Sequence, residues 1–178
     1  MRCPERMRAT LVEPAANPTV LAWLGQLDDR VMSWIADHGV LLTRIALGIV
    51  FVWFGVLKFF PDMSPAADLA ARTIERVTFG RVHASPGLTI LASWEVLIGV
   101  GFLTGGFMRA TLLLLLVHMA GTLTPLALFP SETFQVFPYS PTLEGQYIIK
   151  NLVLVGAALV VGAAARGGPS SQERRSPA

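Results

Sequence analysis

The chain has 178 residues, of which 53% are hydrophobic and 15% charged, against about 25% charged in an ordinary soluble domain. That is too little charge to coat a water-soluble globule, and the net charge of +2 and pI near 9.1 come mainly from arginines in the two tails. No basic stripe interleaved with aromatics is present, so a nucleic-acid partner is not expected, and the one cysteine, Cys3, excludes an intrachain disulfide, a Cys-x-x-Cys pair and a thiolate metal cage.

Residues 1–18 carry Arg2, Arg6 and Arg8 but no apolar core of the length a secretory signal needs before Pro4, Pro14 and Pro18 intervene. They are read as a disordered tail. From 19 to 38, Val20, Leu24, Leu27, Val31, Trp34 and Ile35 recur every three or four residues, with Asp28, Asp29, Arg30 and Asp37 on other faces. This predicts an amphipathic helix lying in a membrane interface.

A bilayer core of about 30 Å needs about 20 helical residues, and four stretches meet that length: 40–60, 88–108, 110–129 and 143–165. Each is bounded by breakers or charge. Pro61 ends the first, Ser85-Pro86 opens the second, Gly105-Gly106 with Arg109 turns into the third, and Pro130 closes it. Ser140-Pro141-Thr142 starts the fourth, with Ser140 placed to cap free N–H groups and Pro141 at the first helical position. Between the first two spans, Asp62 to Gly80 predicts a second short amphipathic helix, with Leu69, Ile74 and Val77 in phase. After the fourth span, residues 166–178 (RGGPSSQERRSPA) have the composition of another solvated tail. The expected fold is therefore all-α, a four-transmembrane-helix bundle with an N-terminal interfacial helix. Four spans put both termini on one side, and the arginine bias places that side in the cytoplasm.

The informative residues are the polar ones inside the spans. Arg44 and Lys58 bracket the first, Glu95 interrupts the second, His118 sits midway along the third, and Glu144, Gln146, Lys150 and Asn151 occupy the outer half of the fourth. A charge at the centre of a lone helix costs about 2.5 to 3.5 kcal/mol on insertion scales, so such groups face the bundle and pair. Counting from the breakers puts Glu95 and Lys150 at roughly 10 to 14 Å from the outer surface. On the first helix Arg44, Gly48, Phe51, Gly55 and Lys58 share one stripe, and on the fourth Glu144, Tyr147, Lys150 and Asn151 do the same. The reading is a polar pocket opening outward, in which Glu95 pairs with Lys150, Lys58 being the second candidate, with His118, Thr122 and Tyr147 on its wall and Asn151 nearby. Each residue also has a plainer role. Arg44 and Lys58 serve equally as interfacial anchors, the helix dipole alone favours Glu144 in a first turn, and Gln146 and Asn151 can simply bond between helices. His118 has no second histidine at its depth, which argues against a haem. There is no phosphate loop, nucleophile elbow or His-Glu-x-x-His element.

The strings LLTRIALGIVFVWFGVLKFFP (Leu41 to Pro61), WEVLIGVGFLTG (Trp94 to Gly105) and the segment from Thr124 to Ala164 resemble the YkgB-type branch of the DoxX-like membrane proteins. The likeness is most specific in F-x-W-x-G-x-L-K-F (Phe51 to Phe59) and in the T-P-L, F-P-Y and K-N-L elements. Arg44, Trp53, Gly55, Lys58, Glu95, Pro125, Pro138, Tyr139 and Lys150 stand at matching positions, while the loop after the first span is shorter here. The resemblance implies a bacterial inner-membrane protein, an accessory subunit of a membrane redox or oxidant-defence system, with a quinone or a membrane oxidoreductase as partner. Relatives that act as assembly factors imply a scaffold instead. A homo-oligomer forming a small transporter or proton pathway is the third expectation. No covalent or metal-ligated cofactor is expected, nor catalysis by the chain alone.

Overall fold

A computed structural model describes residues 18–60, 63–64 and 67–166. The expected tails, 1–18 and 166–178, lie outside the described residues except for their innermost positions. The chain divides into two units, 1–39 and 40–178.

Helix α1 spans Pro18–Leu57. Proline stands at its first position, where no donor is lost, and no further proline follows until residue 61. The expected division into a helix at 19–38 and a span at 40–60 is therefore not a break in the helix, because Gly39 is the only weak helix former at the junction and Gly alone costs only about 1 kcal/mol. In the first unit, Trp23, Leu24, Leu27, Val31, Trp34 and Ile35 are all exposed. His38 stacks on Trp34 with ring centroids 5.0 Å apart, and its Nδ1 lies 3.0 Å from the Trp34 carbonyl.

The second unit is a helical bundle with a small cap at one end. Helix α2, Ala67–Val77, is the short amphipathic helix expected after the first span, and it buries Leu69, Ala71 and Thr73. Helix α3, Ala84–Thr104, has no side-chain cap from its own flank. Glu75 of α2 supplies one instead, accepting from Ala84 N–H at 2.9 Å. At its far end Gly105 adopts φ +71° and returns its N–H to the Gly101 carbonyl, a left-handed stop that a side chain would strain. Helix α4, Met108–Leu123, follows at once, and α5, Pro125–Leu128, continues it beyond a proline that breaks the hydrogen-bond ladder.

Pro130 starts α6, Pro130–Thr133, and a two-stranded antiparallel hairpin comes next. Its strands are β1, Phe134–Val136, and β2, Ser140–Pro141, with a cis Phe137–Pro138 bond between them. The fold is thus not purely helical. Helix α7, Leu143–Arg166, closes the unit. Its cap is Thr142, not the expected Ser140: Thr142 Oγ1 accepts from Gly145 N–H at 3.2 Å and donates to the Glu132 carbonyl at 2.7 Å. Ser140 and Pro141 are taken by strand β2, so they are not free to start the helix.

Among the described residues, four helices are long and apolar enough to cross a bilayer: Trp23–Leu57, Ala84–Thr104, Met108–Leu128 and Leu143–Ala165. This marks a multi-pass membrane protein. The second span begins four residues earlier than its hydrophobic run suggests, because Ser85 and Pro86 lie inside the first helical turn rather than ahead of it. The core combines Leu47 and Phe51 from α1, Ile98 and Phe102 from α3, Leu115 and Met119 from α4, and Ala158 and Val161 from α7. Glycine lets α1 and α3 approach closely. A Cβ at Gly99 would stand 2.6 Å from Val52 N and 2.8 Å from the Gly48 carbonyl, so the backbones of α1 and α3 touch there.

Candidate functional site

The buried charges of the second unit gather on three helices. Glu95 lies at the middle of α3, nine residues before its end, and His118 lies ten residues after the start of α4. The tight turn at 105–107 makes these two helices antiparallel neighbours, so counts from the turn that differ by only one bring the two residues to nearly equal depth. Lys58 reaches the same level for a different reason. Helix α1 stops at Leu57, and Gly55 packs against Val96 and Glu95, so α1 ends level with the middle of α3 rather than with its beginning.

The outcome is a three-membered cluster. Lys58 Nζ donates to Glu95 Oε2 at 2.6 Å, and His118 Nε2 lies 3.3 Å from Glu95 Oε1. Each carboxylate oxygen therefore has its own partner, one from just beyond the end of α1 and one from α4. With its proton on Nε2 the imidazole donates to the carboxylate. Side-chain exposures of 12% for Lys58, 8% for Glu95 and 3% for His118 show that the groups are enclosed. Lys58 also points toward the Phe54 carbonyl at 3.4 Å. The Phe51 ring meets the imidazole edge-on at 6.0 Å. Beside Glu95, Trp94 Nε1 donates to the Leu114 carbonyl at 3.1 Å, pinning α3 to the turn of α4 that precedes His118.

Lys150 is not the partner of Glu95. It is exposed, with its ammonium 5.5 Å from the centre of the Tyr147 ring, itself exposed. The physical reason is rotational: the buried face of α7 carries Ile148, Ala158 and Val161, and Lys150 stands two residues beyond Ile148, on the opposite side of the helix. Thr122 turns its hydroxyl back to the His118 carbonyl at 2.8 Å, so it supports the histidine's own helix without facing the carboxylate. Asn151 is half-buried and Glu144 exposed in the first turn of α7. Trp53 is 65% exposed on α1, and Arg44 lies at the other end of the bundle against Gly105. The expected open pocket walled by His118, Thr122 and Tyr147 is therefore a packed cluster. Two surface grooves are apolar: one of about 390 Å³ beside Trp53 and Leu103, the other of about 480 Å³ between Leu123 and Phe137.

A second charged constellation holds the cap. Arg72 of α2 reaches Glu132 of α6 through two parallel bonds, Nη1 to Oε1 at 2.7 Å and Nη2 to Oε2 at 2.5 Å, while its guanidinium lies 5.5 Å from the Phe129 ring centre. Its Nε stands 3.0 Å from Asp68 Oδ2, within ion-pair reach but without a hydrogen bond. The bond from Arg72 holds the Glu132 carboxyl below the ordinary carboxylate range, and the same bond raises the guanidinium. Sequence reasoning missed this pair. The only local signal is the i,i+4 spacing of Asp68 and Arg72, since Glu132 lies 60 residues further on.

No family model, curated protein or solved structure matches this chain.

Proposed function

We propose that the chain is a DoxX-like inner-membrane protein of the YkgB type, with both termini cytoplasmic, that serves as a non-catalytic accessory subunit of a membrane redox or oxidant-stress-defence system. The observation that carries this reading is the enclosed Lys58, Glu95 and His118 cluster, at mid-height of a membrane-spanning helix. Ionisable groups at that depth are expensive, and they mark proton relays and ligand contacts more often than they mark simple packing. Lys58, the least buried member, is the point of exchange with the outside, and a quinone carbonyl or a polar group of a partner enzyme is the ligand that its N–H donors fit. The exposed apolar stripe from Trp23 to Ile35 is read as an anchor in the membrane interface. Electron transfer belongs to the partner.

One observation favours a second reading, an assembly factor or scaffold. Both oxygens of Glu95 are already engaged within the bundle, which is the arrangement of a strut between helices. The test is purification of the full chain in native detergent with quinone extraction and mass spectrometry of what accompanies it. Quinone recovered together with an oxidoreductase, and lost in Lys58→Met, supports the accessory-subunit reading. Partner proteins without quinone, unchanged in that variant, overturn it in favour of the scaffold. Ion flux through the purified protein alone in liposomes overturns both.

A further inference from the structure

The opposite end of the bundle holds a cation that the cluster does not use. Arg44 of α1 presses its guanidinium onto Gly105, closely enough that a Cβ at that glycine would collide with it. Its Nε is buried with no acceptor, and none of the ion pairs among the described residues involves Arg44. An arginine stays charged in a protein and carries five donors in a fixed fork, so one held against a membrane-spanning bundle needs an acceptor. The carbonyl end of α3 favours the positive charge there, which explains why the guanidinium rests on the turn. That end does not complete the fork, since the buried Arg44 Nε finds no acceptor there.

The surroundings say what the acceptor is. Among the described residues from Val40 onward, every acidic side chain lies on α2, on α6, in the first turn of α7 or at the middle of α3. None lies at the α3–α4 turn, where Arg109 adds a second, exposed cation in the first turn of α4. The turn also displays Phe107, 92% exposed and held at φ +50°. An aromatic fixed outward beside two arginines is the pairing of apolar wedge and cation found where a protein meets lipid headgroups.

We propose that Arg44, with Arg109 and the turn at Gly105 to Phe107, binds the phosphate of an anionic phospholipid. The phosphate oxygens complete the arginine fork, and the Phe107 ring enters the acyl boundary beside it. This inference is independent of the redox reading, because it concerns the other end of the bundle and no residue of the cluster.

The experiment is native mass spectrometry of the delipidated full chain titrated with phosphatidylglycerol, with phosphatidylcholine and with inorganic phosphate. The expected result is a preference of about fivefold or more for phosphatidylglycerol, from roughly 1 kcal/mol per basic residue near a lipid surface. Arg44→Gln removes that preference, Arg44→Lys keeps part of it, and Arg109→Gln reduces it less than Arg44→Gln does. Equal retention of both lipids by the unaltered chain overturns the proposal, and this measurement needs no variant to fold. Unchanged preference in Arg44→Gln overturns it as well, and displacement of the lipid by millimolar inorganic phosphate overturns the lipid as the source of the phosphate.

Discussion

Lys58 and Glu95 are 37 residues apart in the chain and 2.6 Å apart in space. What joins them is the early stop of α1, whose last turn lies against Val96 through Gly55. A lysine just beyond the end of a helix needs only its own four-carbon stem to reach a carboxylate at the middle of the neighbour. Both groups give up water in doing so, and each is then the other's principal substitute for it.

Glu95→Leu is predicted to destabilise the protein by about 3 kcal/mol or more, because it leaves the Lys58 ammonium enclosed without a counter-charge. Lys58→Met costs a similar amount for the mirror reason. The double variant Lys58→Met/Glu95→Leu is expected to recover most of the loss. Denaturant unfolding of the four proteins in one detergent measures the coupling, and simple additivity of the two single losses would show that the pair is not energetically joined.

Trp94→Phe keeps the aromatic bulk and deletes the bond to the Leu114 carbonyl. The expected cost is about 1 kcal/mol. Hydrogen exchange should also quicken at the turn of α4 around His118 while the rest of α4 is unaffected. A uniform change along α4 would mean that the indole does not pin that turn.

Gly99→Ala places a methyl group against the backbone of α1, 2.6 Å from Val52 N. Backbone cannot move aside as a flexible side chain can, so the helices must separate, at about 2 kcal/mol. Gly121, which has open space around it, is the control: Gly121→Ala is expected to be neutral or slightly stabilising. Equal effects at the two positions would contradict the close contact.

The cap should loosen in acid. Arg72 depresses the Glu132 carboxyl, so this pair adds stability above the ordinary carboxyl value of 4.5, and the contribution is lost as pH falls toward and through the depressed value in the folded protein. Limited proteolysis at 63–80 and at the hairpin is expected to rise below about pH 4.5 in the unaltered chain. In Glu132→Gln it should already be high at pH 7 and change little with acid. A steep acid dependence retained in Glu132→Gln would assign it to another group.

The spans were readable because twenty apolar residues in a row leave a chain few alternatives, and the breakers at Gly105 and Pro130 act locally. Glu95 stood out for the same reason, as a carboxylate where hydrocarbon is expected. The choice between Lys58 and Lys150 was not readable. Both sit at plausible depth, and what separates them is the rotation of α7 and the early end of α1, each fixed by contacts made far along the chain. Local spacing also suggested a helix start at Ser140, but the hairpin claims that residue, and the pairing of β1 with β2 leaves no local trace in so short a stretch. The Arg72–Glu132 pair has the same long-range origin.

The matched distances of Glu95 and His118 from the turn at 105–107 make that turn a ruler. A residue inserted between Glu95 and Thr104 would rotate the carboxylate by about 100° and raise it by about 1.5 Å relative to the imidazole, and so would one inserted between Met108 and His118, in the opposite sense. Length changes between Ala84 and Trp94 leave the two counts untouched. Tolerance to insertion in this hairpin is therefore lopsided, confined to the limbs outside the pair.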